Sequence, residues 1–297
     1  MIAKGILHVH STFSYDGKMS LPALRDLCIE KGLSFCFLSE HTDHLTVANA
    51  QLFAQECRAL STGSFIFIPG FEVPYKVNAK DREGALGYKV NAKGREGALG
   101  YLPAQASKNA HILLFGTEVF LGQTADASLL KQWSSAASLT VLAHPVRNKF
   151  IVDDTMKEIL DGVEIWNQQY EGKRVPRTRS VRLLRTLQKE NQKLLAVGGL
   201  DFHRVDHMGT PVCTVDISQL TRASIVEAMQ TGMYTFGTEK VSVSSLGIWQ
   251  GNNSLQHRLV SLFSIITIVC GKIVNAVLSY FGFRLPKGIV RFIRKRV

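Results

Sequence analysis

The chain has 297 residues, 45% of them hydrophobic, which suits one large barrel-type domain or two smaller ones and excludes a chain too polar to fold. Five scattered cysteines (Cys28, Cys36, Cys57, Cys213, Cys270) with no CxxC pairing exclude a disulfide framework or a zinc knuckle. The net charge of +11 is lopsided: from Leu255 onward there are eight Lys or Arg and no Asp or Glu, leaving 27 basic against 24 acidic residues before it, so the basicity does not mark the body as a nucleic-acid binder.

Ile6–His10 reads as a strand, in which His8 and His10 point to the same side. Asp16 follows on a Gly-containing loop. Neutral imidazoles converging with a carboxylate suit a divalent ion of the Zn, Mn or Fe type. Ser20-Leu21-Pro22, a hydroxyl cap with an early proline, starts a helix that runs to about Lys31 and ends at Gly32. Further strands are expected at Ser34–Leu38, Phe65–Ile68, Ile112–Phe115, Thr140–Ala143, Gly162–Trp166, Leu194–Val197 and Val212–Val215. Helices fall near Val47–Arg58, Asp126–Ala137, Asp153–Leu160, Thr178–Glu190 and Thr221–Thr231, and Pro69-Gly70-Phe71-Glu72 reads as a loop. The alternation predicts a parallel α/β architecture, whose chemistry lies at the C-terminal ends of the strands.

The potential ligands obey that rule. Glu40 and His41 follow one apolar run, Glu72 the next, His144 a third, and Asp201 with His203 a fourth; His111 opens its strand instead. Six of the nine histidines occupy such points. The pieces His8-Val9-His10 with Asp16-Gly17, Ser39-Glu40-His41, Gly70-Phe71-Glu72, His111-Ile112-Leu113-Leu114, Ala143-His144-Pro145 and Gly199-Leu200-Asp201-Phe202-His203 together resemble the PHP (polymerase and histidinol phosphatase) family of metal-dependent phosphoesterases, over about residues 5–240. The resemblance implies an α/β fold with a distorted seven-stranded (β/α) barrel. It also implies two or three divalent ions (Mn, Zn or Fe) held by His8, His10, Asp16, His41, Glu72, His111, His144, Asp201 and His203. Glu72 and Asp201 would bridge ions, and with His203 they form the expected catalytic group. The family's second motif is usually Thr-Asp-His, so the literal Thr42-Asp43-His44 makes His44 an alternative to His41. The loop before Asp16 is one residue longer than usual.

Arg147 and Arg204 follow candidate ligands and are positioned to clamp a phosphate, or are solvated surface groups. Trp166 and Asn167 match a family strand end, either touching substrate or simply closing a turn. A 13-residue unit, Tyr75 to Gly87, recurs almost unchanged as Tyr88 to Gly100, too few copies for a solenoid. The domain reading is a barrel over 1–240 carrying this insertion at 75–100, a linker at 241–254 and a basic tail at 255–297. Leu259–Phe283 is strongly apolar but interrupted by Gly271-Lys272 and Asn275, and Arg284 to Arg296 supply most of the positive charge. The tail is therefore expected to form helices lying on, or re-entrant at, an anionic membrane surface, with the barrel cytoplasmic at its inner face. A chain lacking residues 255–297 that still sedimented with membranes would refute the anchor. The expected substrate is a phosphorylated small metabolite. The competing readings are a nuclease or phosphodiesterase acting on short oligonucleotide ends, and a non-enzymatic, membrane-tethered metal-binding module. Oligomeric state is not readable from the sequence.

Overall fold

The computed structural model describes residues 1–77, 109–172 and 175–250, all within one of the chain's two units. Most of the repeat insertion and the whole basic tail lie outside the described residues, as do the membrane expectations attached to the tail. Among the described residues no helix is long and apolar enough to cross a membrane.

Six α-helices are present among these residues: α1 (Leu21–Glu30), α2 (Val47–Leu60), α3 (Ala127–Ala136), α4 (Asp154–Ile159), α5 (Thr178–Leu187) and α6 (Arg222–Gln230). All six were expected. Five begin at a residue whose side chain accepts a backbone N–H of the first turn, namely Ser20, Thr46, Asp126, Asp153 and Thr221. Only α5 lacks such a cap; Arg177 precedes it and instead donates from its guanidinium to the Tyr170 carbonyl at 2.8 Å.

The strands are β1 (Ile2–Val9), β2 (Phe35–Leu38), β3 (Glu40–His41), β4 (Ile66–Ile68), β5 (Gly70–Lys76), β6 (Asn109–Phe115), β7 (Leu139–Leu142), β8 (Gly162–Asn167), β9 (Leu195–Gly199), β10 (Val212–Asp216), β11 (Tyr234–Gly237), β12 (Ser242–Ser244) and β13 (Trp249–Gln250). They form two mixed sheets, in the orders β13-β12-β11-β10-β1-β2-β4 and β3-β5-β6-β7-β8-β9. The α/β class holds, while the expected all-parallel order does not: β1 is antiparallel to β10, and β6 is antiparallel to both β5 and β7. Strands cross from sheet to sheet. β2 continues into β3 past Ser39, and β4 into β5 past Pro69. A second seam joins β1 to the segment after β9, through Leu200 N–H to Leu7 O (2.9 Å), Phe202 N–H to His8 O (3.0 Å) and His10 N–H to Phe202 O (2.8 Å).

Two expectations need correction. The stretch read as the loop Pro69–Glu72 mostly belongs to β5, because Gly70 to Lys76 pair residue for residue with β6. The linker proposed from residue 241 is occupied to Gln250 by β12 and β13, because Val241 and Val243 are buried in the core and Ser242–Ser244 extend the sheet from β11. The strand interiors are apolar and aromatic, with Phe35, Phe37, Phe67, Phe71 and Phe115 all buried.

Candidate metal centre

Strand ends, not helices, present the site. His8 is the penultimate residue of β1 and His10 follows the strand, His41 ends β3, Glu72 lies on β5, His144 follows β7, and Asp201 and His203 follow β9. His111 joins them because β6 runs antiparallel to its neighbours, so its N-terminal end reaches the face where the parallel strands have their C-terminal ends. That orientation explains its irregular place in the sequence pattern. Asp16 comes from a loop folded back on itself, in which a Cβ at Gly17 would sit 1.9 Å from the Ser11 carbonyl oxygen; only glycine fits there.

His8 and His10 converge as expected, with ring centroids 5.2 Å apart, but not by ideal strand alternation. The β1–β2 register shifts between Ile6 and Val9, and His8 adopts φ +60°. His144 (φ +23°) and Asp201 (φ +52°) are also left-handed. Such backbones cost about 1–3 kcal/mol each and persist where surrounding contacts impose them.

Donor atoms from three overlapping groups lie within 4.8 Å of one another: His10, His41 and His203; His8, His10, Glu72 and Asp201; and Glu72, His111 and His144. Glu72 is completely buried, and its two oxygens divide the imidazoles between them. Oε1 lies 2.5 Å from His111 Nδ1 and 3.0 Å from His144 Nε2, while Oε2 lies 3.1 Å from His8 Nε2, 3.2 Å from His10 Nε2 and 3.6 Å from His41 Nδ1. Asp201 Oδ1 is 3.5–3.6 Å from His8, His10 and His203. Asp16 Oδ2 is 3.2 Å from His203 Nε2 and 3.7 Å from His41 Nε2. All nine residues expected as ligands are thus brought together. His44 is not: its side chain is 68% exposed, and His41 stacks on His10 in its place, 4.3 Å between centroids.

The electrostatics describe a site built for cations. Burial alone would lower the pKa of His8, but the Glu164, Asp201 and Glu72 carboxylates outweigh it and raise that pKa well above the usual value. His10 is raised to about 9, burial again being overcome, here by Asp201 and Glu72. His41 is pushed down to about 3 by burial and by neighbouring His10, and burial also lowers His144. Glu72 and Asp201 stay well below the carboxylate range, since the surrounding imidazoles outweigh their desolvation. The buried carboxylates thus favour positive charge beside them, which divalent cations would supply. His10 Nε2 makes no hydrogen bond although it is buried and shared by two donor groups. Nitrogen and carboxylate oxygen donors without thiolate suit Zn, Mn or Fe, and the residues fit such ions.

A ring of supporting contacts surrounds these donors. Ser14 Oγ lies 3.2 Å from His10 Nδ1 and donates to Glu40 at 2.5 Å, and Glu40 also accepts the Ser11 N–H at 3.0 Å. Glu164, which the sequence pattern did not single out, lies 2.9 Å from His8 Nδ1 and accepts the His144 N–H at 2.7 Å. Its signal was present as an acidic residue inside an otherwise apolar strand, Gly162 to Trp166. Asn167 closes a turn by accepting the N–H groups of Gln169 and Tyr170, and Trp166 is buried against Phe236. Arg147 lies over the Tyr170 ring at 5.2 Å, and that ring packs edge-on against His144. Arg204 pairs with Asp206 at 2.7 Å and is mostly exposed.

The family profile described as PHP domain matches residues 7–196. A 46-residue stretch is 44% identical to the DNA polymerase/3'-5' exonuclease PolX of Bacillus subtilis (strain 168), covering 16% of this chain and 8% of that enzyme. A two-domain protein of Bacteroides vulgatus ATCC 8482, described as containing a predicted PHP-like metal-dependent phosphoesterase, superposes with a TM-score of 0.53 at 14% identity, over 82% of this chain and 67% of that one. At that identity the likeness speaks for fold alone.

Proposed function

The chain belongs to the PHP domain family, and on that premise we propose that it is a metal-dependent phosphoesterase whose substrate is a phosphorylated small metabolite. The observation that carries this reading is the set of three overlapping donor groups sharing His10 and Glu72. Divalent ions bound there would neutralise phosphate charge and lower the pKa of water at the site. His8, His10, Asp16, His41, Glu72, His111, His144, Asp201 and His203 would hold two or three of them. Glu72, with each oxygen facing different imidazoles, and Asp201 are the carboxylates suited to serve two ions at once. His203 Nδ1 lies 3.0 Å from the Asp201 carbonyl oxygen, which can only accept its proton, so Nε2, 3.2 Å from Asp16 Oδ2, is the nitrogen left to face an ion. Arg147, steadied over Tyr170, is the better placed of the two arginines to orient a phosphate, because Arg204 is already paired.

The near-neutral body favours a small substrate over a long strand. A nuclease acting on oligonucleotide ends is the second reading, favoured by the short stretch shared with a 3'-5' exonuclease. Phosphate release from p-nitrophenyl phosphate with Mn²⁺ tests the first. We expect metal-dependent release that falls by at least about a hundredfold in His10→Ala and Asp201→Ala variants that remain folded. Hydrolysis of a labelled oligonucleotide but not of the monoester would favour the second reading. Full activity in both variants would refute the site.

A further inference from the structure

Glu164 is a completely buried carboxylate outside the nine donors that touches two of them directly. It lies on β8 where pairing with β9 slips between Glu164 and Trp166. Three donors converge on it: His8 Nδ1 on Oε1 at 2.9 Å, and the His144 backbone N–H (2.7 Å) and Asn167 Nδ2 (2.9 Å) on Oε2. Two of those donors belong to residues with left-handed backbones at the ends of different strands, β1 and β7. The third, Asn167, uses its own oxygen to hold the turn that carries Tyr170. Space for this carboxylate depends on Gly199, where a Cβ would lie 2.2 Å from Glu164 Oε1 and 2.8 Å from His8 Cβ.

We propose that Glu164 is the positioning residue of the centre: it accepts the His8 Nδ1–H, leaving Nε2 to face Glu72 and Asp201, and it anchors the His144 backbone so that both imidazoles are set by one carboxylate. The proposal rests on the reading of His8 as a metal ligand. Its physical basis is that an imidazole binds a cation through one nitrogen only when the proton is held on the other, and a buried carboxylate is the strongest fixed acceptor for that proton. Glutamine at this position would keep the volume but offer one acceptor oxygen to three donors, so at least one donor would meet an N–H.

The test uses the full chain with Zn²⁺ alone as probe. In the wild-type protein, ¹⁵N chemical shifts of the Zn²⁺-bound state, assigned against His8→Ala, are expected to place the His8 proton on Nδ1. In Glu164→Gln, Zn²⁺ affinity measured by chelator competition should fall roughly 10- to 100-fold. Gly199→Ala should shift it the same way by crowding the carboxylate. A His8 proton on Nε2 in the wild-type protein, or wild-type Zn²⁺ affinity in a folded Glu164→Gln, overturns the proposal. If Glu164→Gln does not fold, the wild-type proton position decides. Wild-type Zn²⁺ binding by His8→Ala removes the ligand reading itself, whereas loss of Zn²⁺ in His8→Ala with full binding in Glu164→Gln removes only the role of Glu164.

Discussion

The interiors and the ends of the same strands behave as two different materials. Around β2 and its neighbours, Phe37 meets Phe35 and Phe115 edge-on at 5.9 and 5.3 Å, and Phe65 meets Phe67 at 4.9 Å. Such packing is complete in itself. A few residues further along, β1, β3, β7 and β9 lead into a crowd of imidazoles and carboxylates with three left-handed backbones, most of it buried. The difference teaches where stability is made and where it is spent. Apolar burial in the strands offsets the cost of holding unlike charges and strained residues at their tips.

That contrast can be broken in measurable ways. Phe37→Ala should lower unfolding stability by about 3–5 kcal/mol through the cavity it leaves, with Zn²⁺ affinity of the folded fraction unchanged; a matching loss of affinity would show the two regions to be coupled. Metal should act on the tips alone: at a hundredfold excess over Kd, Mn²⁺ is expected to raise stability by about 2.7 kcal/mol, and chelation should reverse it. Because His10 must shed its proton to bind an ion, affinity should rise with pH up to about 9, and binding at pH 7.5 should release protons that a weakly buffered titration can count. An ion that binds without proton release would contradict the paired-charge description.

The last effect concerns Glu171, beside the site but not in it. It joins the loop after β8 to the one after β7 by accepting the Val146 N–H at 2.7 Å and the Ser180 hydroxyl. Burial raises its pKa from 4.5 to about 7, so the folded state holds this proton more tightly than the unfolded one. Its contribution is therefore present below about pH 4.5 and is lost as pH rises through about 7, a swing of about 3 kcal/mol. Urea unfolding of Glu171→Gln should lack that fall between pH 5 and 8; an identical pH profile in both proteins would discard the assignment.

All six helices and the Ser20 cap were legible, since hydroxyl or carboxylate caps and apolar periodicity are local properties. Asp153 before Met156 and Thr221 before Ser224 announce α4 and α6 without any partner. Polar residues at the ends of apolar runs pointed to His41, Glu72, His144, Asp201 and His203, while the full set of nine came from the resemblance to the PHP family. Strand direction was not legible. Nothing local distinguishes the antiparallel β6 from its parallel neighbours, so the placement of His111 looked irregular until pairing with β5 and β7 accounted for it. Spacing from Gly32 and the end of the apolar run already favoured His41 over His44, whereas the role of Glu164 was hidden, because it depends on what lies opposite, His8 and His144. Sequence by itself determined which residue types sit at strand ends and so the chemistry on offer. Only the tertiary structure decided which of them share a proton or a cation, because hydrogen bonds and charge pairing act over a few ångströms of space between residues as far apart as His8 and Asp201.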